Sequence, residues 1–187
     1  MFFSPYLHAD TFYGSAHISH KKEKDLTIMG DGSIKNSNIT NLASMGNLTL
    51  TSSNIENLKN KGSTHIKSSK IDHLEGQGST LIKSSNIQEA KTSGDTKIDT
   101  SSIQRTLKAE GYIHVSKSSV QDAEYKGSKI EIDGSHIHKL VIKKNNSQPI
   151  EVILSNHSRI DILILEDPHT KIIQDKTSKI DVKQMAN

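Results

Sequence analysis

The sequence predicts an all-β fold, a single-stranded parallel β-helix (β-solenoid) with about 16 residues per coil. Three observations predict this fold. Between Gly46 and Ala109, glycine recurs every 16 residues, at Gly46, Gly62, Gly78 and Gly94. Aliphatic residues and serines recur at fixed distances from each glycine, and self-similarity at a fixed period is the mark of a repeat architecture. Within each repeat, apolar and polar residues alternate, which is the period of a strand and not of a helix.

Each repeat is numbered here from its glycine, which is position 0. The aliphatic residues at position +4 are Leu50, Ile66, Ile82 and Ile98. Those at position +9 are Ile55, Ile71, Ile87 and Ile103, and the serines at position +7 are Ser53, Ser69, Ser85 and Ser101. Position +2 holds Leu48, Thr64, Thr80 and Thr96, and position +12 holds Leu58, Leu74 and Ala90, with Leu107 one step late. We expect all five positions to point into the core.

The pairing of the strands follows from the absence of hairpin signals. Neither strand of a repeat has a neighbour across a two-residue turn, so the natural partner is the equivalent strand one repeat later. That pairing is parallel and in register, and each coil adds a rung of about 4.8 Å. The glycines allow the positive φ of a tight corner, and serine suits a corner with little space. We expect right-handed winding, because parallel crossover connections are overwhelmingly right-handed.

The repeat divides the chain into three parts. Residues 1–13 are an N-terminal aromatic cap or a signal remnant, residues 14–143 are the regular β-solenoid, and residues 144–187 are wider terminal coils of the same domain. The aromatic residues of the first part are Phe2, Phe3, Tyr6, Phe12 and Tyr13. A solenoid needs a cap over its first coil, whereas a signal would need a charged start and a longer apolar core. Both interpretations stay open.

The sequence also predicts the local structure of two further segments. The charged run 21–25 is expected to be a solvated loop. In the last part, Ser158-Arg159-Ile160 and Ser178-Lys179-Ile180 repeat the serine corner at longer spacing. The aliphatic run from Ile160 to Leu165 predicts a strand covered on both faces, with a subunit partner or the chain's own tail on its outer side.

Composition narrows the function classes. Only 32% of the 187 residues are hydrophobic and the mean hydropathy is −0.56, which suits a narrow solenoid with about five inward side chains per coil. A net charge of +3 and only two arginines, Arg105 and Arg159, argue against nucleic acid as a partner. The absence of cysteine excludes disulfides and thiol chemistry. No apolar run is long enough to span a bilayer.

No catalytic, cofactor-binding or metal-binding residue is predicted, and no cofactor. His136 and His138 flank the inward Ile137 and point outward together, but the repeat brings no carboxylate or third histidine beside them, and a metal site needs three or four ligands. A sugar-cleaving β-helix would need paired carboxylates in a groove. The acidic candidates are scattered along the coils, without long loops to build a groove: Glu56, Asp72, Asp99 and Asp133.

A recurring Ser-Ser-x-Ile/Val step carries a family resemblance. It occurs in Lys83-Ser84-Ser85-Asn86-Ile87 and in Ser116-Lys117-Ser118-Ser119-Val120. Over about Gly30 to Leu140 the chain resembles the GIN-type head domains of autotransporter adhesins of bacterial envelopes. The resemblance implies a β-solenoid in an exported, non-catalytic protein, and it transfers no functional residue. The chain is less similar to the bactofilin-like cytoskeletal solenoids.

Three functions follow as hypotheses. The first is a non-enzymatic cell-envelope or secreted β-solenoid, adhesin-like, located in the periplasm, at the cell surface or outside the cell. Its partner would be a protein or a glycan, and its apolar C-terminal coils would allow a homo-oligomer. The alternative is a self-assembling, bactofilin-like scaffold, which would need uncapped ends. The second alternative is a carbohydrate-active β-helix enzyme, which would need a carboxylate-lined groove.

Overall fold

The computed structural model describes residues 10–145 and 148–186, and these residues form a parallel β-solenoid of about 11 turns with roughly 16 residues per turn. The described residues contain nineteen strands and no helix, which confirms the predicted fold class. The strands are β1 Asp10–Tyr13, β2 Ala16–Ser19, β3 Lys22–Met29, β4 Gly32–Lys35, β5 Asn38–Met45, β6 Leu48–Thr51, β7 Asn54–Lys61, β8 Thr64–Lys67, β9 Lys70–Gln77, β10 Thr80–Lys83, β11 Asn86–Ser93, β12 Thr96–Asp99, β13 Ser102–Ser116, β14 Ser119–Asp133, β15 His136–Ile142, β16 Glu151–Ser155, β17 Arg159–Leu165, β18 Lys171–Gln174 and β19 Lys179–Met185.

Each regular coil consists of one short strand of four residues and one long strand of eight, as in β6 and β7. Each strand pairs in parallel with the equivalent strand of the next coil, so that Leu50 lies opposite Ile66 and Ile55 opposite Ile71. Like residues therefore stack on like residues, as the 16-residue period predicts. In β13 and β14 the second strand of one coil runs on through the glycine corner into the next coil.

The core contains the five predicted columns of side chains and a sixth that the sequence analysis missed. Positions +2, +4, +7, +9 and +12 are buried in the regular coils. Position +14 is also inward, although most of its residues are polar or small: Ser44, Asn60, Gly76, Thr92, Ala109 and Tyr125. The Asn60 amide, which is fully buried, donates to the Ser63 carbonyl at 3.1 Å and to Thr64 Oγ1 at 2.8 Å.

The long strand bends in its middle. In β7 the outward residues Glu56 and Asn57 follow each other directly, between the inward Ile55 and Leu58. Two consecutive outward residues break the period of two, so the strand changes direction there. The bend gives each coil a third side, which the alternation alone did not predict.

The serine corner is held by hydrogen bonds that repeat from coil to coil. The backbone N–H of Ser53 donates to Ser69 Oγ at 3.1 Å, and Ser69 Oγ donates to the Lys67 carbonyl at 2.8 Å. In the regular coils, the residue before the corner serine takes a positive φ, for example 50° at Ser68. The glycine corner needs its glycine for a second reason, since a Cβ on Gly62 would lie 2.3 Å from the Gly46 carbonyl oxygen.

The N-terminal end differs from one expectation. The charged run 21–25 lies largely in strand β3, not in a loop, because Lys22 pairs with Asn38 and Asp25 with Asn41 in the next coil. Residues 1–9 of the predicted aromatic cap lie outside the described residues. Of the rest, Phe12 in β1 stands beside the buried Ile28 in the ladder and is 40% exposed.

The C-terminal coils differ from a second expectation, which was that the strand from Ile160 to Leu165 is covered on both faces. In β17, Ile162 and Ile164 face outward and are half-buried. The chain's tail forms β19 and pairs edge to edge with β17, so it does not cover the outer face as one expectation held. It pairs there because its inward Ile180 continues the core column of Ile160.

Candidate functional site

A groove of about 570 Å³ runs along the outer face of the first six coils, and we call it the long-strand groove. Two ladders of outward side chains flank the inward position +12. One rim, at position +11, consists of Asp25, Asn41, Asn57, His73, Glu89 and Thr106. The other rim, at position +13, consists of Thr27, Ala43, Lys59, Glu75, Lys91 and Lys108. The floor consists of Leu26, Leu42, Leu58, Leu74 and Ala90.

The alternation of side chains in the long strand creates this groove. Positions +11 and +13 lie on either side of the inward position +12, so their side chains rise on both sides of a strip of backbone. The strip repeats in every coil because the coils are in register. Sequence analysis found no long loops that could build a carboxylate-lined groove, and the long-strand groove is formed by the strands themselves. Its signal in the sequence is the pair of outward residues, at +11 and +13, on either side of the inward residue at +12.

Hydrogen bonds order the first rim. Asn41 Nδ2 donates to Asp25 Oδ1 at 2.6 Å, and Asn57 Nδ2 donates to Asn41 Oδ1 at 2.9 Å. Further along, His73 Nδ1 lies 3.1 Å from Glu89 Oε2. These contacts run along the solenoid axis and hold the polar groups in one line. Such exposed contacts add little to folding stability, but they limit the rotamers that a ligand would have to order.

The second rim carries alternating charge. Lys59 Nζ lies 2.9 Å from Glu75 Oε2. The hydrogen bond and the positive charge of Lys59 lower the pKa of Glu75 below its ordinary value. Acid-catalysed glycoside cleavage needs a carboxyl group whose pKa is raised, so that it stays protonated near neutral pH. Glu75 is shifted in the opposite direction.

The acidic residues singled out in the sequence do not meet in one place. Glu56 and Asp72 line a smaller groove of about 340 Å³ on the neighbouring face, together with Lys22 and Lys70. Asp99 contacts Lys83 at 3.6 Å in the previous coil. Asp133, at the other end, accepts hydrogen bonds from Ser155, Ser116 and Asn156. The structure therefore pairs only the first two candidates.

His136 and His138 have a carboxylate beside them, contrary to the sequence analysis. Asp161 Oδ1 lies 3.0 Å from His136 Nε2, and Asp161 Oδ2 lies 2.9 Å from His138 Nδ1. Arg159 Nε adds a third contact to Asp161, at 2.9 Å. The hydrogen bonds from His138 and His136 lower the pKa of Asp161 to about 2. Aligning the Ser158-Arg159-Ile160 corner with Ser135-His136-Ile137 places Asp161 opposite His138, so the sequence contained the signal.

This histidine cluster does not have the character of a metal site. Both carboxylate oxygens of Asp161 accept from ring nitrogens, and the Arg159 guanidinium places a positive charge beside them. A divalent cation would have to displace these contacts. Across residues 10–145 and 148–186, no three histidine, cysteine or acidic side chains gather in an arrangement that could hold a metal ion.

A second polar cluster, which sequence reasoning missed, joins two coils on the short-strand face. Glu131 accepts hydrogen bonds from Tyr112, His114 and Lys129. Lys129 and then Tyr112 lower the pKa of Glu131 to about 2. Burial and then the bond to Glu131 raise the pKa of Tyr112 to about 12. The groups of this cluster bind each other, so it stabilises the stacking of the coils and offers no free acid or base.

Comparison with known proteins adds no family. Neither the protein-family models, nor the curated proteins, nor the solved structures contain a match to this chain. Within the described part of the chain, no helix has the length and apolar character needed to cross a membrane.

Proposed function

We propose that the protein is a non-enzymatic, adhesin-like binding solenoid whose long-strand groove holds an extended polymer, with a linear glycan as the ligand class. One observation carries the proposal: the groove continues along the solenoid axis over six coils, from Asp25 to Lys108. A groove of this length suits a long ligand better than a compact one.

The repetition of the rims supports a ligand that is itself repetitive. The same ladder positions recur at each rung, about 4.8 Å apart. A polymer lying in the groove can therefore reach a rim side chain at each successive coil. Contacts that are weak singly then sum to a useful affinity, because after the first contact the others are intramolecular.

The chemistry of the groove favours a glycan. Asn41, Asn57 and the neighbouring carboxylates donate to and accept from hydroxyl groups. The side chains of the floor residues Leu42 and Leu58 are buried in the core, so the apolar surface open to a sugar ring comes from the exposed rim residue Ala43 and from the aliphatic stems of the rim lysines. The charges on the rims are of both signs, which gives no field to attract a polyanion such as nucleic acid.

The cellular location is part of the same proposal. The resemblance to adhesin head domains supports this location. Such domains lie in the periplasm, at the cell surface or in the medium. Fractionation of cells that produce the native gene product tests it. Recovery of the protein from the cytoplasmic fraction alone would contradict the envelope role and leave the groove's ligand to be tested separately.

The binding test uses isothermal titration with soluble linear polysaccharides, namely a neutral glucan, a polyuronate and an N-acetylated glycan. Ala43→Trp places a large ring on the exposed rim between Thr27 and Lys59. We expect it to weaken binding about tenfold or more, because it obstructs the groove at the second of its six coils. Thr49→Trp is the matched control, since Thr49 is an exposed strand residue on the short-strand face.

The outcomes separate the hypotheses. No binding to any of the three polysaccharides would contradict the proposal, as would equal binding by wild type and Ala43→Trp. Loss of binding in Thr49→Trp alone would move the ligand to the short-strand face. Release of reducing ends on prolonged incubation would support the enzyme hypothesis instead.

A further inference from the structure

The two ends of the solenoid carry opposite charges in the same inward column. Position +12 is aliphatic through the core, in Leu26, Leu42, Leu58, Leu74, Ala90, Leu107, Ala123, Leu140 and Leu163. Among the described residues, the column begins with Asp10, which lies opposite Leu26, and ends with Lys183, which lies opposite Leu163. Asp10 and Lys183 are both exposed, and neither takes part in an ion pair among the described residues.

The next column ends in two apolar side chains. At position +14, Phe12 lies opposite Ile28 at one end, and Met185 lies opposite Leu165 at the other. Phe12 is 40% exposed and Met185 is 51% exposed. Both residues continue a core column. No described residue covers the side of either residue that faces away from the solenoid.

The strands that carry these residues have one unpaired edge each. Among the described strands, β1 pairs only with β3, and β19 pairs only with β17. The free edge of a strand presents unpaired N–H and C=O groups, which is a template for pairing with another chain. Strand β1 lies one coil further along the solenoid axis than β2, so it is the outermost of the described strands at this end.

We propose that copies of this chain associate head to tail, with β1 of one copy pairing in parallel with β19 of the next. Continuing the register of the solenoid places Asp10 opposite Lys183 and Phe12 opposite Met185 across the junction. The junction therefore adds an ion pair and an apolar contact to the backbone hydrogen bonds. A second copy of the chain is the occupant, because among the described residues the opposite end of the same solenoid carries the matching column in the matching register.

The alternative arrangements are less favourable. A tail-to-tail pair would be antiparallel and would bring together two copies of β19, each with Lys179 and Lys183. A head-to-head pair would bring together two copies of Asp10 in β1. Neither arrangement can place Asp10 opposite Lys183 or Phe12 opposite Met185, so both lose the two side-chain contacts that the head-to-tail register supplies. The inference does not depend on the ligand of the long-strand groove.

Multi-angle light scattering of the full chain over a concentration series tests the inference. We expect the wild-type mass to rise with concentration beyond that of one chain. Asp10→Lys and Lys183→Asp each replace the ion pair with a like-charge pair, so each should shift the onset of association to about tenfold higher concentration or more. The double variant Asp10→Lys/Lys183→Asp restores opposite charges and should regain association.

Lys176→Asp is the matched control. Lys176 lies in the turn between β18 and β19, so the variant makes the same change of charge in the same coil, away from the column. It should associate like wild type. A wild-type chain that stays monomeric at every concentration would overturn the inference, and so would a double variant no better than the single ones. An increase of association in Lys183→Asp would point to the tail-to-tail pair instead.

Discussion

At the scale of single residues, the serine corner shows how a small polar side chain stabilises this fold. Ser69 lies in the core at 5% exposure, where its hydroxyl accepts from the Ser53 N–H and donates to the Lys67 carbonyl. A larger side chain would not fit between the stacked corners. A side chain without a hydroxyl would leave a buried N–H without a partner.

Ser69→Ala should therefore lower the free energy of unfolding by about 1–3 kcal/mol, the cost of an unpaired buried polar group. Ser63→Ala is the matched control, because Ser63 is exposed and its backbone carbonyl, not its hydroxyl, makes the contacts of that corner. Urea denaturation followed by circular dichroism measures both. Equal stability of the two variants would show that the corner does not depend on the serine hydroxyl.

At the scale of the coil, the glycine corner decides how closely successive turns can stack. Gly62 has a φ of 136°, and its α-carbon packs against the backbone of Gly46 in the preceding coil. The same close approach recurs from Gly30 to Gly111. These glycines therefore serve the contact between coils as well as the turn within a coil.

Gly62→Ala should destabilise the protein by more than Gly134→Ala. Gly134, with a φ of 53°, lies in the left-handed region, where a Cβ costs about 1–2 kcal/mol, whereas the φ of 136° at Gly62 lies outside the range that other residues readily adopt. At Gly134 the nearest atom to a new Cβ is 3.5 Å away, whereas at Gly62 it is a backbone oxygen at 2.3 Å. The difference between the two unfolding free energies therefore measures the clash together with the greater backbone strain. A smaller loss for Gly62→Ala would mean that the coils can separate at little cost.

At the scale of the whole molecule, stability is a sum of coils and of contacts between neighbouring coils. The central strands β7 and β9 pair on both edges, while β18 and β19 pair on one. Of the core residues in the last coil, Ile172 and Ile180 are only partly buried. The terminal coil is thus held by fewer contacts than any central coil.

Hydrogen exchange measured by mass spectrometry should show this gradient. In dilute protein, the amides of β18 and β19 should exchange roughly tenfold faster or more than those of β7 and β9, because they open without the rest of the solenoid. Raising the protein concentration should slow the exchange of β19 if copies associate head to tail. Uniform exchange along the chain would instead indicate that the solenoid unfolds as a single unit.

The fold class, the coil length and five of the six inward columns follow from the sequence alone. This was possible because in-register coils touch at a constant sequence separation, so that a 16-residue period in isoleucine and serine is also a list of contacts. The sixth column was missed because several of its residues are polar and find a partner inside the core: Asn60 donates to Thr64 Oγ1, and Thr92 accepts from Thr96 Oγ1.

The candidate surfaces required the tertiary structure. The long-strand groove depends on how the outward side chains of six stacked coils line up, and the contact of Asp161 with His138 depends on how a coil of different length aligns with its neighbour. The pairing of Asp10 and Lys183 in one column emerges only when all the coils are stacked. The 16-residue period specifies which residues stack on each other in adjacent coils. The groove and the two ends of the solenoid arise from the path of the whole chain.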